Sequence, residues 1–423
     1  MIQRHQKYHA LTGSADIINR HRKERMKKAI VLLKSVCPKE KSRSARWFLL
    51  LMIWGFLIIG CSLGCSQAKI RVVNPDQPLA FPADHGAHED AQWEWWYFNG
   101  QLETESGKTY DFFWAFFKIY VDNDKWMAIP MEWMTAPVFF YFPYLTGGFS
   151  ILDHQENKYH RSYQTVVPFF WRAGFQEGDM NVRIGLNKAW RTLENTFRVQ
   201  SRVKNYQLDL TLAPERPPLQ YGNQQNGTLL LPDTIQKYYS CSRMQVQGTL
   251  KKGKNRETVT GISWMDHQYG FIYNKDFKGW DWFCMNLENG VDVVFGVVHY
   301  FSGGLVPQSF CAIMFPDGRV EYLEADDFHM QALRIWKSPD TRVSYGIEWE
   351  MDVPKFGLKL RSKPVKDKQE MMIFPITFWT GACTVQGTFQ GKAVGGRGFL
   401  ETWGDYQVPF RKFYHSKMAT ARN

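Results

Sequence analysis

Apolar and polar residues alternate in short runs along most of this chain, and the runs are broken by Gly, Asn and Asp. Over residues 92–103, Trp93, Trp95 and Tyr97 fall on one face and Glu94, Trp96 and Phe98 on the other, the two-residue period of a β-strand. Glu105-Ser106-Gly107-Lys108 supplies a turn, and residues 110–117 return as a second strand. The same reading predicts strands over 197–212, 238–250, 259–264 and 280–287. Asn289-Gly290 then turns into a strand over 291–300, a strong short-range hairpin signal. Later strands are expected at 309–315, 320–324, 342–351, 358–361 and 378–389, with loops over 213–218 and 221–227. Beyond residue 61 almost nothing has helical periodicity, so the fold class is all-β and antiparallel.

Two passages share a pattern. Gly248-Thr249-Leu250 leads to Gly261 and then Trp264-Met265-Asp266; Gly387-Thr388-Phe389 leads to Gly396 and then Phe399-Leu400-Glu401. Each half also opens on an aromatic strand, around Trp95-Trp96 and around Trp280-Asp281-Trp282. Internal similarity of this kind indicates a duplicated β unit. The expected division is 75–272 and 273–410, with the boundary near residues 270–278. About 360 residues follow Cys61, more than one core usually serves.

The first 61 residues have a different character. Residues 1–46 hold 13 Lys or Arg against Asp16, Glu24 and Glu40, a net charge of +10. An uncharged run of 14 residues, Trp47 to Gly60, ends at Cys61, which is the order of an export signal. The run is short for the ~20 residues of a spanning helix, although extension through Gly64 would make an anchor. Ile58-Ile59-Gly60-Cys61 resembles a lipobox, making Cys61 the expected lipidation site and the bacterial envelope the expected location. Met26-Lys27-Lys28 is an alternative start. Without residues 1–46 the formal charge falls from +11 to +1, which removes the charge argument for a nucleic-acid partner. Cys241, Cys284, Cys311 and Cys383 are far apart, so buried thiols fit better than a zinc or haem site. Disulfides remain open at this point.

Phe81-Pro82-Ala83-Asp84-His85-Gly86-Ala87-His88, followed by Glu94-Trp95-Trp96-Tyr97-Phe98-Asn99-Gly100, resembles the AttH/CrtC family, which includes carotenoid 1,2-hydratase. Trp264-Met265-Asp266-His267-Gln268-Tyr269-Gly270, Gly279-Trp280-Asp281-Trp282-Phe283 and Gly398-Phe399-Leu400-Glu401 are similar to further family motifs. The resemblance spans about residues 79–405 and is better to the exported AttH-type branch. It implies two tandem lipocalin-like antiparallel β-barrels, here following an N-terminal export signal. In the hydratase branch it implies an aspartate acid supported by aromatics and by an upstream His-x-Trp. Asp266 fits the acid position, but the upstream strand reads Lys237-Tyr238-Tyr239-Ser240 and has no His-x-Trp.

Three functions are therefore weighed. The main expectation is a membrane-anchored, lipocalin-like envelope protein that binds an apolar or isoprenoid-type small molecule or lipid. The alternatives are a carotenoid 1,2-hydratase-like enzyme adding water across a C=C bond, and a structural envelope protein without ligand. If chemistry occurs, Asp266 is the candidate acid, with Trp264 and Tyr269 beside it. A carboxyl among aromatics is poorly solvated, so its pKa rises and it can remain a proton donor. The aromatic faces would attract the resulting cation. The alternative role for Asp266 is hydrogen bonding at a barrel mouth, and its counterpart Glu401 favours that structural reading. Trp95, Tyr97, Trp280, Trp282 and Tyr239 are the candidate ligand contacts.

His85, His88 and Glu89, with His267 as a distant third, fall short of a zinc site, and no metal is expected. Glu94 is expected to be buried against an arginine or to be functional. Gly-x-Ser-x-Gly is absent, and Gly395-Gly396-Arg397-Gly398 lacks a strand–loop–helix setting, so neither a serine hydrolase nor a phosphate loop is indicated. No cofactor is implied.

Overall fold

In the computed structural model, alternation of side chains on almost every strand produces two antiparallel sheets, each curled into a half-barrel. Residues 73–404 are described, apart from 120–124, 127–128, 131–143, 167–172, 233, 271–276 and 374–375. The export signal, Cys61 and part of the expected boundary lie outside them. Among the described residues the helical elements are three single 3₁₀ turns, Ala83–His85, Ala325–Asp327 and Pro354–Phe356.

The first sheet has 13 strands, running from Trp93–Thr104 to Asn255–Gly270. The second has ten, from Phe277–Leu287 to Lys392–Thr402. Each sheet pairs its first strand with its last: Tyr97 stands opposite Asp266 in one, and Trp282 opposite Glu401 in the other. The open edges of each sheet are two strands consecutive in the chain. They are Lys158–Val166 and Ala173–Gly174 in the first sheet, and Val320–Glu324 and His329–Lys337 in the second. Each sheet is thus a meander cut in its middle and closed through its ends.

The expected strand over 197–212 is a hairpin, Phe197–Val203 and Tyr206–Pro214. Lys204 takes a left-handed conformation at the turn (φ 53°) without help from glycine, so the alternation gives no sign of the break. The paired strands Tyr144–Asp153 and Lys158–Val166 are additional to those read from the sequence. The four downstream cysteines are buried free thiols.

Two layers of core result. One lines the inner face of the first sheet and contains Trp96, Phe98, Trp114, Phe197 and Tyr239. The other is a seam in which the outer face of the first sheet packs on the second. There the rings of Tyr97 and Trp282 lie 5.3 Å apart, Trp264 and Trp282 6.2 Å, and Tyr221 and Phe310 5.0 Å. A polar clasp fastens the seam. Fully buried Asp292 of the second sheet accepts from Arg216 (3.0 Å), Arg243 (2.7 Å) and Ser242 (2.8 Å) on the first.

The glycines of the duplicated Gly-Thr motif have a common physical cause. A Cβ on Gly248 would stand 2.2 Å from the carbonyl oxygen of Asp209, and one on Gly387 1.9 Å from that of Lys359. In both sheets a strand crosses its neighbour too closely for any side chain. Gly387→Ala is therefore expected to destabilise the protein by about 1–3 kcal/mol, the usual cost of overpacking. An unchanged urea midpoint for this variant would refute the close approach.

Candidate active site

The two-residue period sorts the candidate residues between the two core layers. On Trp93–Thr104, Trp93, Trp95 and Tyr97 belong to the seam and Trp96 and Phe98 to the inner face. On Asn255–Gly270, Trp264 and Asp266 share the seam face, because Asp266 is opposite Tyr97. Tyr269, three residues from Asp266, must point the other way. It hydrogen-bonds Asp84 and stacks on His88 with ring centroids 3.5 Å apart. The expected grouping of Tyr269 with Asp266 is thus corrected. Tyr239 is likewise an inner residue, bonded to His85 at 2.7 Å. Trp95, Tyr97, Trp280 and Trp282 do pack together along the seam.

Asp266 is 3% exposed. Its Oδ1 accepts from Trp264 Nε1 at 2.8 Å and from the Ser240 hydroxyl, and the Tyr238 hydroxyl also bears on the carboxyl. Tyr238 and Ser240 are alternate residues of the neighbouring strand Thr234–Lys252, and Ser240 stands directly opposite Asp266. The strand searched for a His-x-Trp therefore does flank the acid, and presents a tyrosine and a serine. Burial pushes the Asp266 carboxyl up to about 7, against the pull of these donors.

Glu401 lies across the same seam. Its Oε1 accepts from Trp280 Nε1 at 2.6 Å, and the residue keeps partial contact with solvent. Burial pushes its carboxyl up to about 8; the Trp280 donor opposes this and the charge of Asp266 adds to it. Tyr97 stands opposite Asp266, its hydroxyl held protonated by burial and by Cys284, Glu401 and Asp266, with Thr380 as a weak opposing partner. Trp282 Nε1 is buried without a hydrogen-bond partner. Thr380 and Trp282 flank Glu401 in the sheet register. The seam thus gathers two protonatable carboxyls, a tyrosine and a threonine paired only with each other, and one unpaired indole N–H, an uncommon set for a protein interior.

One rung below, Asn99 Nδ2 meets Cys284 Sγ at 3.5 Å. Beyond that contact opens a cleft of about 220 Å³, lined in part by Gln101, Asn286, Arg397 and Phe399. Asn99 and Cys284 are each two residues from the pair Tyr97 and Trp282, so the cleft borders the next rung of the same seam.

The inner face carries a second polar group with a different balance. Glu94 and Lys118 form a fully buried ion pair at 2.7 Å. Glu94 also meets His88 Nδ1 at 2.8 Å and His267 Nε2 at 2.9 Å, while His88 Nε2 reaches Asp84 at 2.8 Å. The partner of Glu94 is thus a lysine and two histidines, where the sequence suggested an arginine; Glu89 is exposed and takes no part. Burial lowers His88, but its bonds to Asp84 and Glu94 outweigh that and raise it to about 9. Burial alone would raise Glu94, yet Lys118, His267 and His88 hold it well below the usual carboxylate range. His88, Glu94 and His267 bring three ligand-type atoms within 4.8 Å of one another. Every one of those atoms is already hydrogen-bonded, and Lys118 supplies the cation, so we assign them no metal. Their role is to pin the Asp84–His88 turn onto the inner face of the first sheet.

Comparison with known proteins now adds to this geometry. The chain matches the AttH-like family over residues 72–405. It belongs to that family. The solved structure of an AttH protein from Nitrosomonas europaea superposes with a TM-score of 0.66 at 24% identity, covering 79% of this chain and 99% of that one. Kievitone hydratase from Nectria haematococca gives 0.61 at 16% identity, with 80% and 97% covered. These likenesses show the lipocalin-like fold. Dehydratase asqC of Emericella nidulans is 22% identical over 276 residues, 60% of this chain and 74% of that protein. A hydratase and a dehydratase are thus among the proteins this chain is similar to.

Two predictions concern the inner network. Lys118→Met should cost about 3–5 kcal/mol, because it leaves the Glu94 charge buried and unpaired. His88, whose folded value of about 9 exceeds its ordinary 6.5, contributes stability in full below about pH 6.5 and loses it as pH rises through 9. The urea midpoint should fall across that window, and the fall should shrink in His88→Asn. Equal slopes in the two proteins would contradict the assignment.

Proposed function

We propose that this AttH-like protein adds water to, or removes it from, a C=C bond of an apolar, isoprenoid-type substrate, with Asp266 as the proton donor. The observation that carries this reading is a dry carboxyl, raised by burial to about 7, set among the rings of an aromatic seam. An isolated alkene accepts a proton only from an acid that is protonated at working pH and shielded from water. Asp266 is shielded by its burial and keeps a large protonated fraction near pH 7. Protonation of a trisubstituted alkene leaves a tertiary cation, which Trp264, Trp282 and Tyr97 can stabilise through their ring faces. Water then completes the alcohol; the reverse sequence is dehydration. The hydratase and dehydratase among the relatives are consistent with either direction.

The seam explains the binding function expected from the sequence as part of catalysis. Its aromatic walls take the apolar chain, and the cleft beyond Asn99 and Cys284 gives that chain a way in. The proposed place of action is the bacterial envelope, with the chain exported and tethered through a lipid on Cys61. Among the described residues no helix is long and apolar enough to cross a membrane.

The full-length protein in detergent should hydrate acyclic carotenoids or dehydrate the matching tertiary alcohols. Asp266→Asn should lose that turnover by a factor of about 10²–10⁴ while still quenching tryptophan fluorescence on binding. Undiminished turnover in that variant would remove Asp266 from the mechanism.

A further inference from the structure

We propose that Glu401, carried by the second sheet, is the other half of the acid–base pair: without touching, the two carboxyls hold one proton between them, and Glu401 handles the water. This rests on the hydratase reading and adds to it a residue from the opposite half of the chain. Four observations converge on it. Glu401 stands opposite both Trp282 and Thr380 in its sheet, so its side chain emerges on the seam face. Only one of its oxygens is engaged, by Trp280, and no described residue hydrogen-bonds the other. Tyr97 opposite Asp266 and Thr380 opposite Glu401 act on one another, which links the two carboxyls' surroundings. Finally, Asp266 is almost completely dry whereas Glu401 retains solvent contact, which suits one carboxyl to the carbon and the other to water.

The proton balance closes. In the singly protonated pair Glu401 holds the proton more of the time, the form set for dehydration; hydration starts from the form with the proton on Asp266, which gives it to the less substituted alkene carbon and becomes a carboxylate. Water attacks the cation as ionised Glu401 takes one of its protons, forming the C–O bond and a Glu401 carboxylic acid. That proton returns to Asp266 through Tyr97 or solvent, and no other reactant is consumed. In dehydration the same steps run backwards. The reactive form is the singly protonated pair, and its two apparent titrations belong to the pair rather than to either residue. The other titratable groups facing the carboxyls are Tyr97, Tyr221, Tyr238 and Cys284, with Cys241 behind them on the inner face, all raised by burial and so neutral at pH 7. No cation is among the groups acting on either carboxyl. A lone proton is therefore what keeps two negative charges from meeting in the seam.

The test follows the carboxyl C=O stretch of the full-length protein by infrared titration, with turnover measured alongside. In Asp266→Asn the Glu401 band should titrate at lower pH than in the wild type, because a neighbouring charge has gone. An unmoved Glu401 titration overturns the shared proton whether or not a substrate is known. In turnover, Glu401→Gln should reduce kcat by about 10²–10⁴-fold and turn a bell-shaped pH dependence into one with a single limb. Trp280→Phe removes a donor to the ionised form, so it should move the Glu401-dependent limb to higher pH with a smaller loss of rate. If Asp266→Asn is dead while Glu401→Gln matches the wild type in rate and pH dependence, Glu401 is idle and the hydratase reading stands without it. If the carboxyls titrate as a pair but the wild type converts neither alkenes nor tertiary alcohols, the pair stands and the hydratase reading falls.

Discussion

The structure depends on burying both faces of its central strands. A sheet with one face in water can alternate apolar and charged residues freely. The Trp93–Thr104 and Asn255–Gly270 strands cannot, because one face fills the first half-barrel and the other meets the second sheet. Every polar residue they carry must then find a partner or serve a purpose. That requirement accounts for the abundance of tryptophan and tyrosine, which bring large apolar area and one polar atom each. It also explains why neighbouring residues on one strand belong to chemically different places.

Those two places solve the problem of buried charge in opposite ways. On the inner face, Asp84 and Glu94 are balanced by Lys118 and His88, with nearly every oxygen and nitrogen engaged. Such a network is fixed in one arrangement and gains nothing from a ligand. In the seam, two carboxyls lie with no cation acting on either and with the Trp282 indole N–H unpaired. An arrangement of that kind is unfavourable for stability alone, and perturbed groups of this sort cluster where chemistry is done. That contrast is why the proposed site is the seam.

Much of this was legible in the sequence, and the limits have physical causes. Period-two alternation located the Trp93 strand, its return and most strands of the second half, because each has a long run buried by its sheet. It also put Trp95 and Tyr97 on one face. Parity along a strand, applied to Asp266, would have separated Tyr269, since only residues an even number apart share a face; Tyr238 and Ser240 come beside Asp266 through the register of the neighbouring strand. The repeat ending in Asp266 and Glu401 was visible as well. As a sequence pattern it favours a structural role, because equivalent positions in two separate barrels would lie far apart. The half-barrels instead pack through those equivalent faces, and no local pattern encodes which faces of two sheets meet. The Lys118 partner of Glu94 was hidden for a similar reason: it sits on the neighbouring strand, at a register set by pairing and not by spacing.

Each sheet closes by joining its first strand to its last. The Trp93–Thr104 strand has no partner on one side until Asn255–Gly270 exists, and Phe277–Leu287 waits in the same way for Lys392–Thr402. Pairings this distant along the chain form slowly, because a long loop must be ordered before the contact is gained. On a ribosome the consequence is an order of events. The first half can close while the second is still being made, but Glu401 lies in the last described strand. A nascent chain can therefore present Asp266 in a closed sheet and still have no completed seam around it until Lys392–Thr402 has been made.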